Sequence, residues 1–286
     1  MVGIGRTTYG KYGACVEITD GVRSLLVTTD IGPRIIYFGM KGGENIMFED
    51  KGDDINKGGK FFDDNLPGKG IWHIYGGHRL WKSPEYMDTY YPDNAPVDVK
   101  MTSHGAIFTA EPEVTTKLQK SVEIEMSDDG VVTIRHRITN TGTQNSGKIA
   151  LWALTVMDKG AVGEFKLSQA DTGFLPNRNL VFWQYSDMTD DRFATDGKKV
   201  TLTWKDRPPF KVGALIDDGK ITIHTKGLVF TKSFGYEAGA DYPDMQCNAE
   251  LYTNELMFEV ESLSPHLTLE PGESAEHVEV WTLEKE

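Results

Sequence analysis

The chain has 286 residues, of which 39% are hydrophobic and 26% charged, the composition of a globular protein long enough to bury a sizeable core. Its formal net charge of -13 argues against nucleic acid or an anionic membrane as partner, since both are bound chiefly through clustered Lys and Arg. No apolar run approaches the ~20 residues that span a bilayer, and the first residues lack the basic and apolar regions of a signal peptide. We therefore expect a soluble, cytoplasmic protein, whose oligomeric state the sequence leaves open.

Cysteine and histidine spacing predicts no metal site and no cofactor. Cys15 and Cys247 are far apart and form no CxxC motif, so two free, buried thiols are expected. Four histidines have no partner at ligand spacing: His104, His224, His266 and His277. His136 alternates with Ile134 and Ile138, which indicates a structural histidine facing the core. No phosphate-binding loop or nucleophile elbow is present.

The first fifty residues show the pattern of an antiparallel meander. Predicted strands, each bounded by Gly, Pro or Asp, cover 14–18, 24–28, 34–38 and 45–48. Residues 50–70 are polar and glycine-rich, which predicts a long surface loop.

The β pattern returns after residue 94. Alternation over 122–126 and 131–139, on either side of the turn Asp128-Asp-Gly130, predicts a hairpin, and the apolar run 149–157 predicts a strand buried on both faces. Further strands follow to residue 283, with short helical turns only near 187–193. The expected fold is all-β, a single antiparallel sandwich domain over residues 1–286.

Residues 70–94 combine aromatic rings with polar side chains and little aliphatic content, which is typical of a pocket lining. Flat rings and directional hydrogen bonds are what a polyhydroxylated sugar ring requires. We therefore predict a carbohydrate ligand. The candidates for contacting it in this segment are Trp72, His73, Tyr75, His78, Arg79, Trp81, Glu85 and Tyr91.

Later strands add a second group of candidates. Glu259 and Glu261 lie on one face of a predicted strand, and Asp241–Glu250, with Lys232 upstream, forms a polar cluster that is either a surface loop or the rim of the sugar site. Trp183 and Tyr185 offer a stacking face or belong to the core. The candidates taken from this part of the chain are Lys232, Tyr242, Glu250, Glu259 and Glu261.

The order of several short motifs resembles the galactose mutarotase-like (aldose 1-epimerase) superfamily, and within it a branch described only as a domain of unknown function. The motifs are Gly32-Pro-Arg-Ile-Ile36, Gly43-Glu-Asn-Ile46, Gly76-Gly-His-Arg-Leu-Trp81, Pro84-Glu85, Glu259-Val-Glu-Ser-Leu-Ser-Pro265, Leu269-Glu-Pro-Gly-Glu-Ser274 and Val280-Trp281. They span nearly the whole chain. The resemblance implies a β-supersandwich whose concave face binds a carbohydrate.

The resemblance also implies an acid and a base for opening a sugar ring. In aldose 1-epimerases a histidine protonates the ring oxygen while a late-strand glutamate takes the proton of the anomeric hydroxyl. Glu261 or Glu259 matches the glutamate. The family's His-Gly-Gly motif reads Tyr75-Gly-Gly77 here, so His78 or His73 is the candidate acid, with Arg79 orienting the substrate.

Three functions follow as hypotheses. The first is an isomerase that interconverts the anomers of an aldose or uronic acid. The second is a non-catalytic carbohydrate-binding protein, and the third is a hydrolase or lyase that cleaves a glycosidic bond on the same scaffold, for which two carboxylates at suitable separation would serve.

Overall fold

The computed structural model describes residues 1–66 and 70–286 of the chain. Nearly every regular element is a strand. In chain order the strands are β1 (Gly3–Thr8), β2 (Ala14–Thr19), β3 (Arg23–Thr28), β4 (Ile35–Met40), β5 (Asn56–Lys57), β6 (Trp72–His73), β7 (Gly77–Ser83), β8 (Asp98–Met101), β9 (Gly105–Thr109), β10 (Leu118–Met126) and β11 (Val132–Asn140). They continue with β12 (Ala150–Met157), β13 (Val162–Lys166), β14 (Val181–Phe182), β15 (Phe193–Thr195), β16 (Lys199–Thr203), β17 (Phe210–Ala214), β18 (Lys220–Thr225), β19 (Leu228–Phe234), β20 (Ala249–Thr253), β21 (Phe258–Leu263) and β22 (Ser274–Lys285).

Helical structure is confined to short turns. Among the described residues, the helix α1 covers Lys60–Asn65, 3-10 turns cover Gly10–Tyr12 and Met87–Tyr90, and a left-handed turn covers Pro243–Gln246. Among the described residues no helix has the length and apolarity needed to cross a bilayer.

The strands form two antiparallel sheets of ten strands each and a small two-stranded ribbon, β5-β6. Sheet I has the order β1-β2-β3-β4-β7-β12-β21-β20-β17-β14, and sheet II the order β15-β16-β13-β18-β19-β22-β11-β10-β9-β8. One hydrophobic core contains side chains from both, for example Phe38 and Val260 of sheet I with Phe108 and Trp281 of sheet II. The sheets therefore pack face to face, as alternating strands with one apolar face require.

The all-β prediction is confirmed, with local corrections. The strands expected at 14–18, 24–28 and 34–38, the hairpin at 122–139 and the buried strand at 149–157 all form. The strand expected at 45–48 does not; Met47 makes only an isolated bridge with Met157. Residues 187–193 form turns rather than helix, and the helix α1 lies inside the predicted loop. Of that loop, residues 67–69 lie outside the described residues.

The Gly76-Gly77 pair is needed by the fold itself. Both glycines have positive φ, 102° and 67°, and a Cβ at either would collide with backbone, that of Phe48 for Gly76 and that of Ile35 for Gly77. The pair thus allows β7 to pack closely against the chain around β4. The space beside the two glycines holds the protein's own backbone.

Candidate functional site

The register of sheet I fixes which side chains share a face. Arg79 of β7 pairs with Leu154 of β12, Leu154 with Glu261 of β21, and Glu261 with Glu250 of β20. Directly opposed residues point the same way, so Arg79, Glu261 and Glu250 lie in one row. A second row on the same face joins Val156, Glu259, Tyr252 and Lys211. This face, turned away from sheet II, is called the outer face below.

The centre of the outer face is a lysine held between two carboxylates. Lys211 Nζ lies 2.6 Å from Glu250 Oε2 and 2.8 Å from Glu261 Oε2, and all three side chains are buried. Trp152 Nε1 donates a 2.7 Å hydrogen bond to the same Glu261 oxygen. Burial alone would lower the pKa of Lys211, but the two carboxylates raise it well above its usual value. Lys211 is therefore a fixed positive charge that holds Glu261 in place.

A second ion pair lies beside it. Arg79 Nη2 is 3.7 Å from Glu259 Oε1, and the guanidinium stacks 4.2 Å from the Trp81 ring centroid. Burial raises the pKa of Glu259 to about 7, an effect that Arg79 opposes and Glu261 reinforces. Glu259 is thus ready both to hold and to release a proton near neutral pH.

Aromatic rings enclose these charged groups. Trp81 packs at 5.5 Å against Trp152, at 5.8 Å against Trp72 and at 5.2 Å against Tyr90. Lys57 from the ribbon lies 3.9 Å above the Tyr90 ring, and the Tyr90 hydroxyl donates to Glu85. On the other side Trp183 lies 4.5 Å from Lys211 Nζ. The arrangement offers flat faces beside hydrogen-bonding groups.

The rim of the outer face includes an unusual turn. At Pro243–Gln246 three successive residues have positive φ, with 49° at Asp244, 59° at Met245 and 72° at Gln246. The amide of Asn179 donates to the carbonyls of Met245 and Gln246 and holds the turn. The Asp244 carboxyl interacts electrostatically with Lys211, Glu261 and Glu85, and burial raises its pKa. The turn therefore brings a further acid to the site.

Several buried polar atoms of the outer face lack partners. Among the described residues, none makes a hydrogen bond to Glu250 Oε1, Glu261 Oε1, Arg79 Nε, Arg79 Nη1 or Trp72 Nε1. Leaving such groups buried and unsatisfied costs about 1–3 kcal/mol each. Two acceptors and three donors on one face are what a ligand rich in hydroxyl groups would satisfy.

His78 does not lie on this face. It pairs with Thr155, which pairs with Val260 of the core, so its side chain enters the space between the sheets. There it is 2% exposed, within 2.9 Å of Thr155 Oγ1 and 2.7 Å of His136 Nε2. His78 and Glu261 therefore do not converge on one cavity, contrary to our prediction. Arg79 shares the outer face with Glu261, and His78, the residue before Arg79 on β7, points to the opposite face.

The same space holds a polar network that includes Lys232, which we had expected at the sugar site. Lys232 Nζ lies 2.9 Å from Glu279 Oε1 and donates to the carbonyls of Ala153 and Val260. Glu279 also accepts from Trp281 Nε1. Burial alone would raise the pKa of Glu279, but Lys232 beside it lowers it. Lys232 therefore neutralises a buried carboxylate instead of reaching the outer face.

Hydrogen-bond directions in the network assign the histidine tautomers. His136 Nδ1 must donate to the carbonyl of His277, 2.9 Å away, so its Nε2 accepts from His78 Nε2. His78 Nδ1 then accepts from Thr155. Ser262 Oγ donates to Glu279 and so accepts from His277 Nε2.

We expect ¹⁵N NMR to find the proton of His136 on Nδ1 and those of His78 and His277 on Nε2, unchanged from about pH 8 to about pH 5. Burial lowers the pKa of all three, that of His277 to about 3, and His136 Nε2 must stay unprotonated to accept from His78. Imidazolium signals from any of them at pH 6 would contradict the assignment.

The remaining predicted residues are distributed around the site. Trp72 and Glu85 belong to its wall and rim. His73 pairs with Asp53 at 2.5 Å, and Tyr75 bonds Asn94 through its hydroxyl, so both contact neighbouring loops. Tyr242 is buried next to the left-handed turn, where its hydroxyl accepts from the Glu237 amide.

A cavity of about 270 Å³ adjoins the site. Its lining includes Arg79 and Trp81 together with segments 91–96 and 110–114, and so contains the predicted residue Tyr91. Glu250, Glu259 and Glu261 are not among its lining residues. Arg79 thus stands between this cavity and the carboxylates.

One group of side chains has metal-binding atoms close together. These atoms of His78, His136 and Glu279 lie within 4.8 Å of one another. Each is already engaged, since the two imidazoles bond each other and Lys232 and Trp281 bond Glu279. The group does not resemble a site that requires an ion, since its polar atoms are satisfied within the protein.

The fold defined by the two facing sheets is that of the galactose mutarotase-like β-sandwiches. A galactose mutarotase-like protein from Clostridium acetobutylicum superposes with a TM-score of 0.56 and 12% identity over 100% of this chain and 99% of that chain. A candidate aldose 1-epimerase from Escherichia coli K12 superposes with a TM-score of 0.57 and 11% identity over 99% of this chain and 100% of that chain.

A further similar structure is longer than this chain. A TPR-domain-containing protein from Parabacteroides distasonis superposes with a TM-score of 0.60 and 15% identity over 94% of this chain but 47% of its own, so the chain spans about half of that protein. No protein-family model matches the chain, and no curated protein matches its sequence. At these identities the likeness establishes the fold.

Sequence reasoning missed Lys211 and Trp152 as parts of the site. Trp152 lies in an apolar run that is buried on both faces, so nothing in the pattern distinguishes it from the core. Lys211, in the run Phe210–Ala214, is a single charge within an otherwise apolar strand. Such a lysine must find a buried counter-ion, and that was the available signal.

Proposed function

We propose that the protein binds a hexose-sized sugar on the outer face of sheet I and interconverts its anomers by general acid-base catalysis with Glu259 and Glu261. The observation that carries the proposal is the placement of a buried carboxyl, Glu261, and a partly buried one, Glu259, on one strand face, with unpartnered polar atoms and aromatic rings around them. The mutarotase-like fold supports it as an analogy. A cytoplasmic location and a single domain remain predictions.

Anomer exchange requires one proton to leave the anomeric hydroxyl and another to reach the ring oxygen, so that the bond between C1 and the ring oxygen breaks and re-forms. Glu261 suits the base, because Lys211 and Trp152 occupy Oε2 and leave Oε1 able to accept a proton. Glu259, with a pKa of about 7, suits the acid. Arg79 would orient a hydroxyl through Nε or Nη1.

The two carboxyls are close enough to act on one ring. They are two residues apart on an extended strand, which separates their Cα atoms by about 7 Å. O1 and the ring oxygen are both bonded to C1, so two carboxyls on neighbouring same-face positions can each reach one of these oxygens by a hydrogen bond of about 2.7 Å. His78 and His73 have no part in this proposal, because neither lies beside these carboxyls.

The test is anomer exchange on a panel of free aldoses, followed by polarimetry or by NMR exchange spectroscopy. We expect acceleration over buffer that declines as pH rises through about 7, because the acid form of Glu259 is lost there. The buffer rate is subtracted at each pH. Tryptophan fluorescence, sensitive to Trp72, Trp81 and Trp152, measures binding in parallel.

The alternative functions are outcomes of the same experiments. Binding without acceleration on any sugar would make the protein a non-catalytic carbohydrate-binding protein. New reducing ends or unsaturated products from a polysaccharide would indicate glycosidic-bond cleavage. The absence of both binding and acceleration would overturn the proposal.

A further inference from the structure

Carboxyl groups outnumber cations on the outer face. Among the residues that the structure describes, five carboxyl groups interact there with three cations. The carboxyls are Glu85, Asp244, Glu250, Glu259 and Glu261, and the cations are Lys57, Arg79 and Lys211. An incoming ligand therefore meets an excess of acids.

Each cation lies beside one or more of these acids. Lys211 is shared by Glu250 and Glu261, Arg79 faces Glu259 through Nη2, and the charge of Glu85 acts on Lys57. A carboxylate or phosphate that approached Lys211 would have to displace one of its internal partners, and one that approached Arg79 would also face the Glu259 carboxyl. Because a buried pair that loses one partner is left with an uncompensated charge, such displacement is unfavourable.

The acids, in contrast, retain free acceptors. Glu250 Oε1 and Glu261 Oε1 belong to side chains that are 0% exposed, and none of the described residues hydrogen-bonds to these atoms. The Asp244 carboxyl lies within hydrogen-bonding range of that of Glu250 and interacts electrostatically with that of Glu261. An ammonium group has three donors and no acceptor, so it matches a cluster of unpartnered carboxylate oxygens.

The aromatic rings favour a cation as well. Lys211 Nζ already lies 4.9 Å from the Trp152 ring and 4.5 Å from the Trp183 ring, the geometry of a cation-π contact. Tyr185, 49% exposed, and Tyr252 stand beside these rings at the open side of the site. A positively charged substituent entering there would meet ring faces before it reaches the acids.

We propose, building on the proposed function, that the ligand is an amino sugar whose ammonium group is bound by Glu250 and Asp244, and that sugars carrying a carboxylate or phosphate are bound weakly. The preference then runs from amino through neutral to anionic sugars. Uronic acids, an option left open by the sequence, become the poorest ligands because a carboxylate near Arg79 would also face Glu259, which lies 3.7 Å from Arg79 Nη2.

The test uses the full chain and four probes titrated at about pH 6.5, where a sugar amine is protonated: glucosamine, N-acetylglucosamine, glucose and glucuronic acid. Calorimetry should find glucosamine binding about tenfold or more tighter than glucose, which has similar bulk and no charge. N-acetylglucosamine, uncharged but bulkier, should also bind more weakly than glucosamine, and glucuronic acid should bind most weakly. Galactosamine and galactose repeat the comparison for a different ring stereochemistry.

Two variants locate the effect. Glu250→Gln and Asp244→Asn should each reduce the ratio of glucosamine to glucose affinity by several-fold, whereas Glu123→Gln on sheet II should leave it unchanged. Asp244→Asn keeps a residue type that tolerates positive φ, so the turn is preserved even if the buried Glu250→Gln variant folds poorly.

The outcomes separate the two proposals. Glucuronic acid binding as tightly as glucosamine, or N-acetylglucosamine matching glucosamine, would overturn the charge preference while sugar binding stands. Failure of every probe and of the aldose panel would overturn the proposed function itself, and this inference with it.

Discussion

Glu261→Gln should lower the rate of anomer exchange by about 100- to 10,000-fold, the range that a general base contributes. The amide keeps the shape of the side chain but can no longer take the proton of the anomeric hydroxyl. Lys211 remains paired with Glu250, so the neighbouring charges stay in place. The measurement is kcat/KM by NMR exchange spectroscopy on the best substrate of the panel.

Binding and chemistry are separated by a sugar analogue that lacks the anomeric hydroxyl. Glu261→Gln should bind this analogue within a few-fold of the wild type, while Glu123→Gln, a carboxyl-to-amide change on the other sheet, should keep the full exchange rate. Retention of the rate in Glu261→Gln to within threefold would show that Glu261 is not the base.

Lys211→Met should destabilise the protein by about 3–5 kcal/mol, the cost of breaking a buried ion pair from one side. Glu250 and Glu261 would then face each other without the cation that now lies 2.6 and 2.8 Å from them. Methionine fills a similar volume, so lost packing contributes little. Urea unfolding at pH 7 gives the change in free energy.

The destabilisation caused by Lys211→Met should depend on pH in a definite direction. Burial already raises the pKa of Glu250 well above its usual value, and removing Lys211 raises it further. A group whose folded pKa is raised contributes its stability below the unfolded pKa of about 4.3 and loses it as pH rises. The difference between Lys211→Met and wild type should therefore be smaller at acid pH and grow as pH rises through the folded pKa of Glu250.

A second variant checks the cause. Lys211→Met combined with Glu250→Gln removes one of the two unpaired carboxylates and should recover part of the lost stability. If the double variant is as unstable as the sum of the two single changes, the loss comes from packing and the charge explanation is wrong.

Sequence patterns sufficed for the sheets, because period-two alternation and turn residues mark strands wherever one face is polar. Val122, Ile124 and Met126 alternate with Glu123 and Glu125, and the predicted hairpin forms. The strand prediction at 45–48 was wrong because an apolar run of four residues does not reveal whether a partner strand lies beside it. In the structure this stretch makes a single bridge, between Met47 and Met157.

The sequence pattern correctly predicts the strand face of Glu259 and Glu261, but it does not predict the face of His78. Glu259 and Glu261 alternate with Phe258 and Val260, so their common face follows directly. All seven residues of β7, by contrast, are buried, and the run around His78 contains no alternation of polar and apolar residues. Without it, a pattern cannot tell the inner face from the outer face.

Lys232 could have been placed correctly. It alternates with Phe230 and Phe234, both core residues, so period two puts it on the inner face. The charge of Lys232 suggested a place in the polar sugar site, whereas its position in the strand places it in the core. In the structure its buried charge is neutralised by Glu279 of the neighbouring strand β22.

The left-handed turn at Pro243–Gln246 lowers the stability of the fold. Non-glycine residues in this conformation cost roughly 1–2 kcal/mol each, and glycine at Met245 would remove that penalty. The turn holds the Asp244 carboxyl beside Glu250, so at the proposed site the chain combines a less stable backbone with a rigidly aimed acid.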